Sequence, residues 1–318
     1  MTSQHLELPP IEVMPKDLSA YRTGNRGVDY VHTFDSGRPG PHVIVNGLTH
    51  GNEFCGMVAV THLFEKNIRP LRGKLTLAFA NVDAYHNFDP AKPFESRYVE
   101  RDFNRVWDVD TLEGPDATVD VKRARALRHI YAEADGLLDL HSTSYAVPSM
   151  LIYEPHAKLE PLVRHLHAPL HHVILPGVKH SGRPLIQYGA FGNPDASPLA
   201  VVVECGQHFA RSSGEIAIAV TMRFLDFYGL ISADLAAQYQ PEAGAPKRYE
   251  VTDAMVAKSD HFRFAGEFIG FEELPAGALI ATDDGEELRA PAEGCTLVMP
   301  ARRIVKGRDA VLLARRLS

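Results

Sequence analysis

Across roughly the first 230 residues, short and nearly unbroken apolar runs alternate with longer stretches of helical period. The strand-like runs are 28–34, 42–46, 74–80, 136–140, 149–153, 172–175 and 199–204. A strand without polar alternation must be covered on both faces, so helices have to lie on either side of the sheet. Stretches 53–66, 119–134, 156–166 and 213–228 can supply them. In the first of these, Phe54, Met57, Val58 and Phe64 contribute to a broad apolar face. Strands alternating with helices specify an α/β fold, a mixed β-sheet flanked by helices.

The pattern changes near residue 240. The stretch 238–247 (QYQPEAGAPK) reads as a linker or long loop. Short β-type segments follow at 268–271, 279–281, 296–299 and 310–313, separated by turns such as Pro275-Ala276-Gly277 and Asp283-Asp284-Gly285. That spacing predicts a small C-terminal all-β domain. The expected division is 1–240 for the α/β domain and 247–318 for the β domain.

Charge and composition exclude several partner classes. The formal net charge is −7, and basic residues gather only in short pairs such as Arg302-Arg303, which argues against nucleic acid. The longest apolar runs, such as 199–203, are too short to span a bilayer. The first ten residues have neither a basic stretch nor an apolar core, so no secretory leader is expected. Cys55, Cys205 and Cys295 lie far apart, which fits free thiols in the cytoplasm. A homodimer is the base-rate expectation for the assembly.

The segment Asn46-Gly47-Leu48-Thr49-His50-Gly51-Asn52-Glu53 follows one buried run and opens a helix, where open α/β sheets place ligand sites. His50 and Glu53 can converge on one ion if the turn is tight, and Gly47 and Gly51 would permit the bend. In isolation this spacing is more often a loop histidine and a first-turn glutamate favoured by the helix dipole. Two further strand ends change that balance. His141 closes the run 137–140; two histidines, a carboxylate and a water make a catalytic zinc site with an open position. Asp139, two residues earlier on the same face, can hold a ligating imidazole or form an ordinary salt bridge.

Glu204 ends a third apolar run, where an unpartnered charge is costly. It can take a proton from an activated water and deliver it to a leaving amine, or simply pair with an arginine. Stretch 96–107 carries Arg97, Arg101, Asn104 and Arg105, which could clamp a carboxylate and polarise a carbonyl. By itself such a stretch is more often a charged surface loop. His165, His167, His171 and His172 are dense, but Pro169 interrupts any helix between them. His208 follows Glu204 closely and could line the cleft. Cys205 has apolar or acidic neighbours, which suits packing rather than reactivity.

Taken in order, N-G-x-x-H-G-N-E from Asn46, R-D-x-N-R from Arg101, D-L-H-S-T from Asp139 and V-E-C-G from Val203 resemble the succinylglutamate desuccinylase/aspartoacylase family, a branch of the zinc carboxypeptidase fold. The resemblance implies one zinc per chain held by His50, Glu53 and His141, and Glu204 as general base and then acid. It implies Arg97 as carbonyl polariser and Asn104 with Arg105 as the substrate-carboxylate site. The implied reaction deacylates a small N-acyl amino acid or related carboxylate, using a water activated by zinc and Glu204. A C-terminal β domain from about Tyr249 would narrow the cleft. Aspartoacylases carry a Tyr and an Arg just before the catalytic Glu to read a second carboxylate. Here 187–195 (QYGAFGNPD) has no Arg, and no Tyr follows Tyr249. An acid-, neutral- or base-selective side-chain pocket therefore stays open, with Arg183 a candidate substitute. The alternatives are a metallocarboxypeptidase acting on peptides, which the C-terminal domain disfavours, and a non-catalytic carboxylate-binding member, which would not need Glu204.

Overall fold

The computed structural model describes residues 8–176, 182–239 and 244–317, so part of the expected linker, 240–243, lies outside the described residues. The apolar runs become β1 (Val31–Asp35), β2 (His42–Gly47), β3 (Lys74–Phe79), β4 (Gly136–Thr143), β5 (Met150–Tyr153), β6 (His171–Ile174) and β7 (Leu199–Gln207). Helices α1 (Phe54–Glu65), α4 (Val119–Ala132), α5 (Glu160–Leu166) and α6 (Arg211–Phe227) occupy the expected stretches. Shorter helices are α2 (Val82–His86), α3 (Val109–Glu113) and α7 (Ala233–Ala236). The C-terminal part holds β8 (Lys247–Val256), β9 (Arg263–Phe264), β10 (Glu273–Leu274), β11 (Leu279–Asp283), β12 (Glu286–Arg289), β13 (Cys295–Val298) and β14 (Asp309–Arg316).

Among the described residues one mixed sheet runs β1-β3-β2-β4-β7-β5-β6-β8-β14-β13-β10, and β12-β11-β9 form a small antiparallel sheet. β3, β2, β4 and β7 are parallel, so β2, β4 and β7 all present their C-terminal ends at one edge. Period-two alternation sorts their side chains. Val43, Val45, Leu138, Leu140, Val201 and Val203 face the core made with α1, α5 and α6. Ile44, Leu137, Ala200 and Val202 face the core made with α4. The same alternation sends Asn46, Asp139, His141 and Glu204 to the α4 side, at the edge where the parallel strands end.

Two features of the C-terminal part differ from expectation. β8 pairs parallel with β6 and antiparallel with β14, carrying the main sheet into the C-terminal part. The expected boundary thus falls between elements of one sheet. Charged Lys247, Arg248, Glu250 and Asp253 mask this strand in the sequence, where only Tyr249 and Val251 are buried. Residues 268–271 are not a strand. Phe271 is left-handed (φ 68°), and its ring stacks 4.1 Å from His171. Its apolar character serves the junction rather than a ladder.

The turn after β2 also forms differently. Leu48, not a glycine, takes the left-handed conformation (φ 61°). Gly47 is required for close approach: a Cβ there would stand 2.7 Å from the Gly56 backbone in α1. Gly51 is similar, with Ala84 backbone 2.3 Å from its would-be Cβ. Gly47→Ala should cost about 2 kcal/mol or more in urea unfolding, because backbone must move. Gly285→Ala, at φ 83° in open space, should cost about 1 kcal/mol.

His172 on β6 is buried, its Nε2 has no partner, and burial pushes the imidazole down to about 4. The unfolded chain takes up a proton near 6.5 that the folded chain resists. Stability is therefore lost as pH falls from 6.5 towards 4. His172→Phe should reduce the loss measured between pH 7 and 5 by up to about 2 kcal/mol relative to the parent.

Candidate active site

The turn between β2 and α1 places His50 and Glu53 beneath the ends of β4 and β7. Glu53 occupies the N-cap position of α1, and His141 on β4 lies in register with Glu204 on β7. One donor atom each from His50, Glu53 and His141 lies within 4.8 Å of the others, and all three residues are buried. His50 Nδ1 is 2.8 Å from Glu53 Oε1, and His141 Nδ1 is 2.9 Å from Glu53 Oε2. Their opposite nitrogens meet carboxylates: His50 Nε2 is 3.0 Å from Asp102 Oδ1, and His141 Nε2 is 2.8 Å from Asp139 Oδ2.

This donor set fits a divalent cation. If each Nε2 carries its proton towards its aspartate, each Nδ1 aims a lone pair at Glu53. Two lone pairs facing a carboxylate repel one another, and a cation between them reverses the sign of that interaction. The surrounding charge points the same way, since Glu53, Asp102, Asp139 and Glu204 are all buried here. Burial acts to raise the Glu53 carboxyl, yet the His50 and His141 imidazoles hold it well below the usual carboxylate range. Burial acts to lower His141, and Asp139 with Glu53 carries it well above the ordinary histidine value instead.

Supporting hydrogen bonds fix each group. Asp139 Oδ1 accepts from Thr49 Oγ1 at 2.6 Å and Asn46 Nδ2 at 2.8 Å, while Tyr131 donates to Asn46 Oδ1 at 2.7 Å. The Ser142 amide donates to Glu53 Oε2 at 3.1 Å. Asp102 accepts from the Asn104 amide at 3.0 Å and lies 3.4 Å from Arg97 Nε. Its carboxyl is held low by His50 and Arg97 against the effect of burial. The loop before it is held by Asp120, which accepts from Asn81 Nδ2 and the amides of Val99, Glu100 and Arg101. The sequence alone does not single out Asp102 or Asp120. Asp102 lies inside the quoted R-D-x-N-R motif, the only signal that could have marked it.

Arg97 Nη1 donates to Glu53 Oε1 at 3.1 Å, and its side chain stays 36% exposed. A cavity of about 240 Å³ opens beside it, lined also by Glu204, Ser142 and His208. Glu204 Oε2 is buried without a hydrogen-bond partner, and burial pushes its carboxyl up to about 8. His208 does line this cleft. Its Nδ1 is 2.8 Å from Ser142 Oγ, and burial lowers its imidazole to about 3.

Asn104 and Arg105 sit near this centre but are not among the residues lining the cavity. Asn104 Oδ1 accepts the Leu185 amide at 2.9 Å, leaving its amide nitrogen for other contacts. Arg105 donates to the Asn104 carbonyl at 2.8 Å, and its charge acts on Asp102. Arg183 is exposed, with its backbone bridged to Val106 and its charge acting on Glu154. The dense histidines do not converge: His165 pairs with Asp226 at 3.0 Å, and His167 Nε2 lies 2.8 Å from the Gly244 carbonyl. Cys205 is buried, and burial beside Cys55 raises its thiol. Among the described residues no helix is long and apolar enough to cross a membrane.

A family model described as the succinylglutamate desuccinylase/aspartoacylase catalytic domain matches residues 39–224. The chain is 29% identical over 121 residues to aspartoacylase from Rattus norvegicus, covering 35% of this chain and 37% of that protein. It is 31% identical over 129 residues to the N-acyl-aromatic-L-amino acid amidohydrolase (carboxylate-forming) of the same organism, covering 37% and 39%. The match thus spans well under half of either relative. The fold resembles succinylglutamate desuccinylase from Vibrio cholerae, with a TM-score of 0.65 at 18% identity over 90% of this chain and 85% of that one. From motif order, fold and matched domain together, the chain belongs to the succinylglutamate desuccinylase/aspartoacylase family.

Proposed function

We propose that this chain is a zinc-dependent amidohydrolase that deacylates a small N-acyl amino acid or a related carboxylate. The observation that carries this reading is the convergence of His50, Glu53 and His141 beside a buried Glu204 oxygen that has no partner. His50, Glu53 and His141 would hold one zinc. Bound there, it supplies Lewis acidity towards a water and the scissile carbonyl. Glu204 takes a proton from the attacking water and returns it to the leaving nitrogen. Arg97, fixed by Glu53 and Asp102, directs its remaining donors at the carbonyl oxygen as negative charge develops. Asn104 and Arg105 orient the substrate carboxylate. Asp102 and Asp139 keep the imidazoles in the ligating tautomer.

The small-molecule reading gains support from residues 299–303, which line the same cavity as Glu204 and limit the room above it. An extended peptide would meet this segment, so residues 247–318 act in this proposal as a cleft-narrowing domain. Free, buried cysteines support a reducing compartment, and with it the cytoplasm.

The purified protein should bind about one zinc per chain, and stripping the metal should abolish turnover and lower the melting temperature. Glu204→Gln should keep the zinc while losing roughly 10²–10⁴-fold in kcat; unchanged turnover of N-acyl amino acids would falsify the assigned base. Asp102→Asn should weaken zinc binding by about 10–100-fold in competition with a chelator. Unaltered affinity in that variant would mean that Asp102 does not orient His50.

A further inference from the structure

Asn52 stands between His50 and Glu53 in the chain, yet its side chain bonds elsewhere. It is 1% exposed, and its Nδ2 donates to the Pro93 carbonyl at 3.1 Å. The neighbouring Gly51 makes a second bond to the same segment, donating its amide to the Arg97 carbonyl at 3.0 Å. Backbones also approach closely here: a Cβ on Gly51 would stand 2.5 Å from the Ser96 carbonyl oxygen. The turn that carries His50 and Glu53 is thus fastened to both ends of 93–97, the segment that delivers Arg97.

The two ends are held differently. At Arg97 the Gly51 bond is joined by the contacts of the guanidinium with Glu53 and Asp102. At Pro93 the residue has no amide of its own, and the Asn52 side chain holds its carbonyl. Among the described residues Asn52 Oδ1 is buried with no partner. A buried amide with half its hydrogen-bonding capacity unmet is a poor packing element, because an apolar side chain of similar shape would leave nothing unmet. What the polar side chain adds is the bond to Pro93. Phe94 packs against Tyr145 and Phe209, with ring centroids 5.5 and 6.1 Å away, so apolar contact keeps the segment in the fold and Asn52 sets its place on the turn.

We propose that Asn52 is a positioning residue for Arg97, fixing 93–97 on the His50–Glu53 turn so that the guanidinium meets the carbonyl oxygen as charge develops there. The proposal rests on the deacylase reading above and deepens it by naming the side chain that aligns Arg97. Misplacing such a group by about 1 Å costs up to about 10²-fold in rate. The loss falls on kcat, because the charge that Arg97 meets forms only in the transition state.

The test is a double-mutant cycle on the zinc-loaded enzyme. Asn52→Leu, which keeps a similar shape but cannot donate, should lower kcat by about 10–100-fold and leave KM within about threefold. Beside Arg97→Met the same change should alter kcat by less than about twofold. Zinc affinity in competition with a chelator should stay within about threefold of the parent. Asn52→Ser carries the same expectations if the leucine variant does not fold. An unchanged kcat, a loss that persists beside Arg97→Met, or a loss of zinc affinity as large as the loss of kcat overturns the proposal.

Failure of the deacylase reading is recognised separately, by the absence of turnover in the parent protein. Hydrogen exchange then decides whether Asn52 holds the segment. Asn52→Leu should speed exchange of the Gly51 amide by at least about tenfold while the amides of β2 and β4 keep their parent rates. Unaltered exchange at Gly51 overturns the proposal.

Discussion

Glu53 carries a carboxylate into the interior with an imidazole nitrogen against each of its oxygens, and Asp102, Asp139 and Glu204 are buried around it. Burying charge in this number is costly unless each group is paired and hydrogen-bonded. The protein meets that demand in two ways. Backbone amides, Thr49, Asn46 and Arg97 satisfy the outer oxygens, while the inner faces are left to converge on one point. Everything that positions the site follows from keeping this convergence. The parallel ends of β2, β4 and β7 set its floor, and the Gly47–Gly56 approach lets α1 begin close enough for Glu53 to reach it.

Much of this arrangement could be read from the chain itself. Apolar runs that end in Asn46, His141 and Glu204 reveal both the strands and their polar exits, because a polar group at the end of a strand buried on two faces must find a partner there. Period two then predicts that Asp139 shares a face with His141, and the 2.8 Å contact bears that out. What could not be read depends on distant pairings. Asp102 reaches His50 across 52 residues, a contact that neither spacing nor periodicity encodes. β8 hides behind its charges, while 268–271 imitates a strand because Phe271 packs at the seam with His171. Arg302 and Arg303 looked like an ordinary basic pair until the fold carried them to the cleft.

The C-terminal part is thus joined to the site in two distinct ways. Its strands extend the main sheet through β6 and β8, and the segment after β13 lines the cavity above Glu204. An architecture of this kind separates two tasks. The strand ends and the β2–α1 turn hold the buried charged groups, while residues 299–303 from the far end of the chain line the cavity beside them.

The most direct test is a zinc-edge anomalous difference map from crystals of the protein grown with zinc. The account predicts one strong peak bonded to His50 Nδ1, His141 Nδ1 and the Glu53 carboxylate, with Asp102 and Asp139 still on the opposite imidazole nitrogens. A peak elsewhere, ligation through the Nε2 atoms, or no peak at saturating zinc would contradict it.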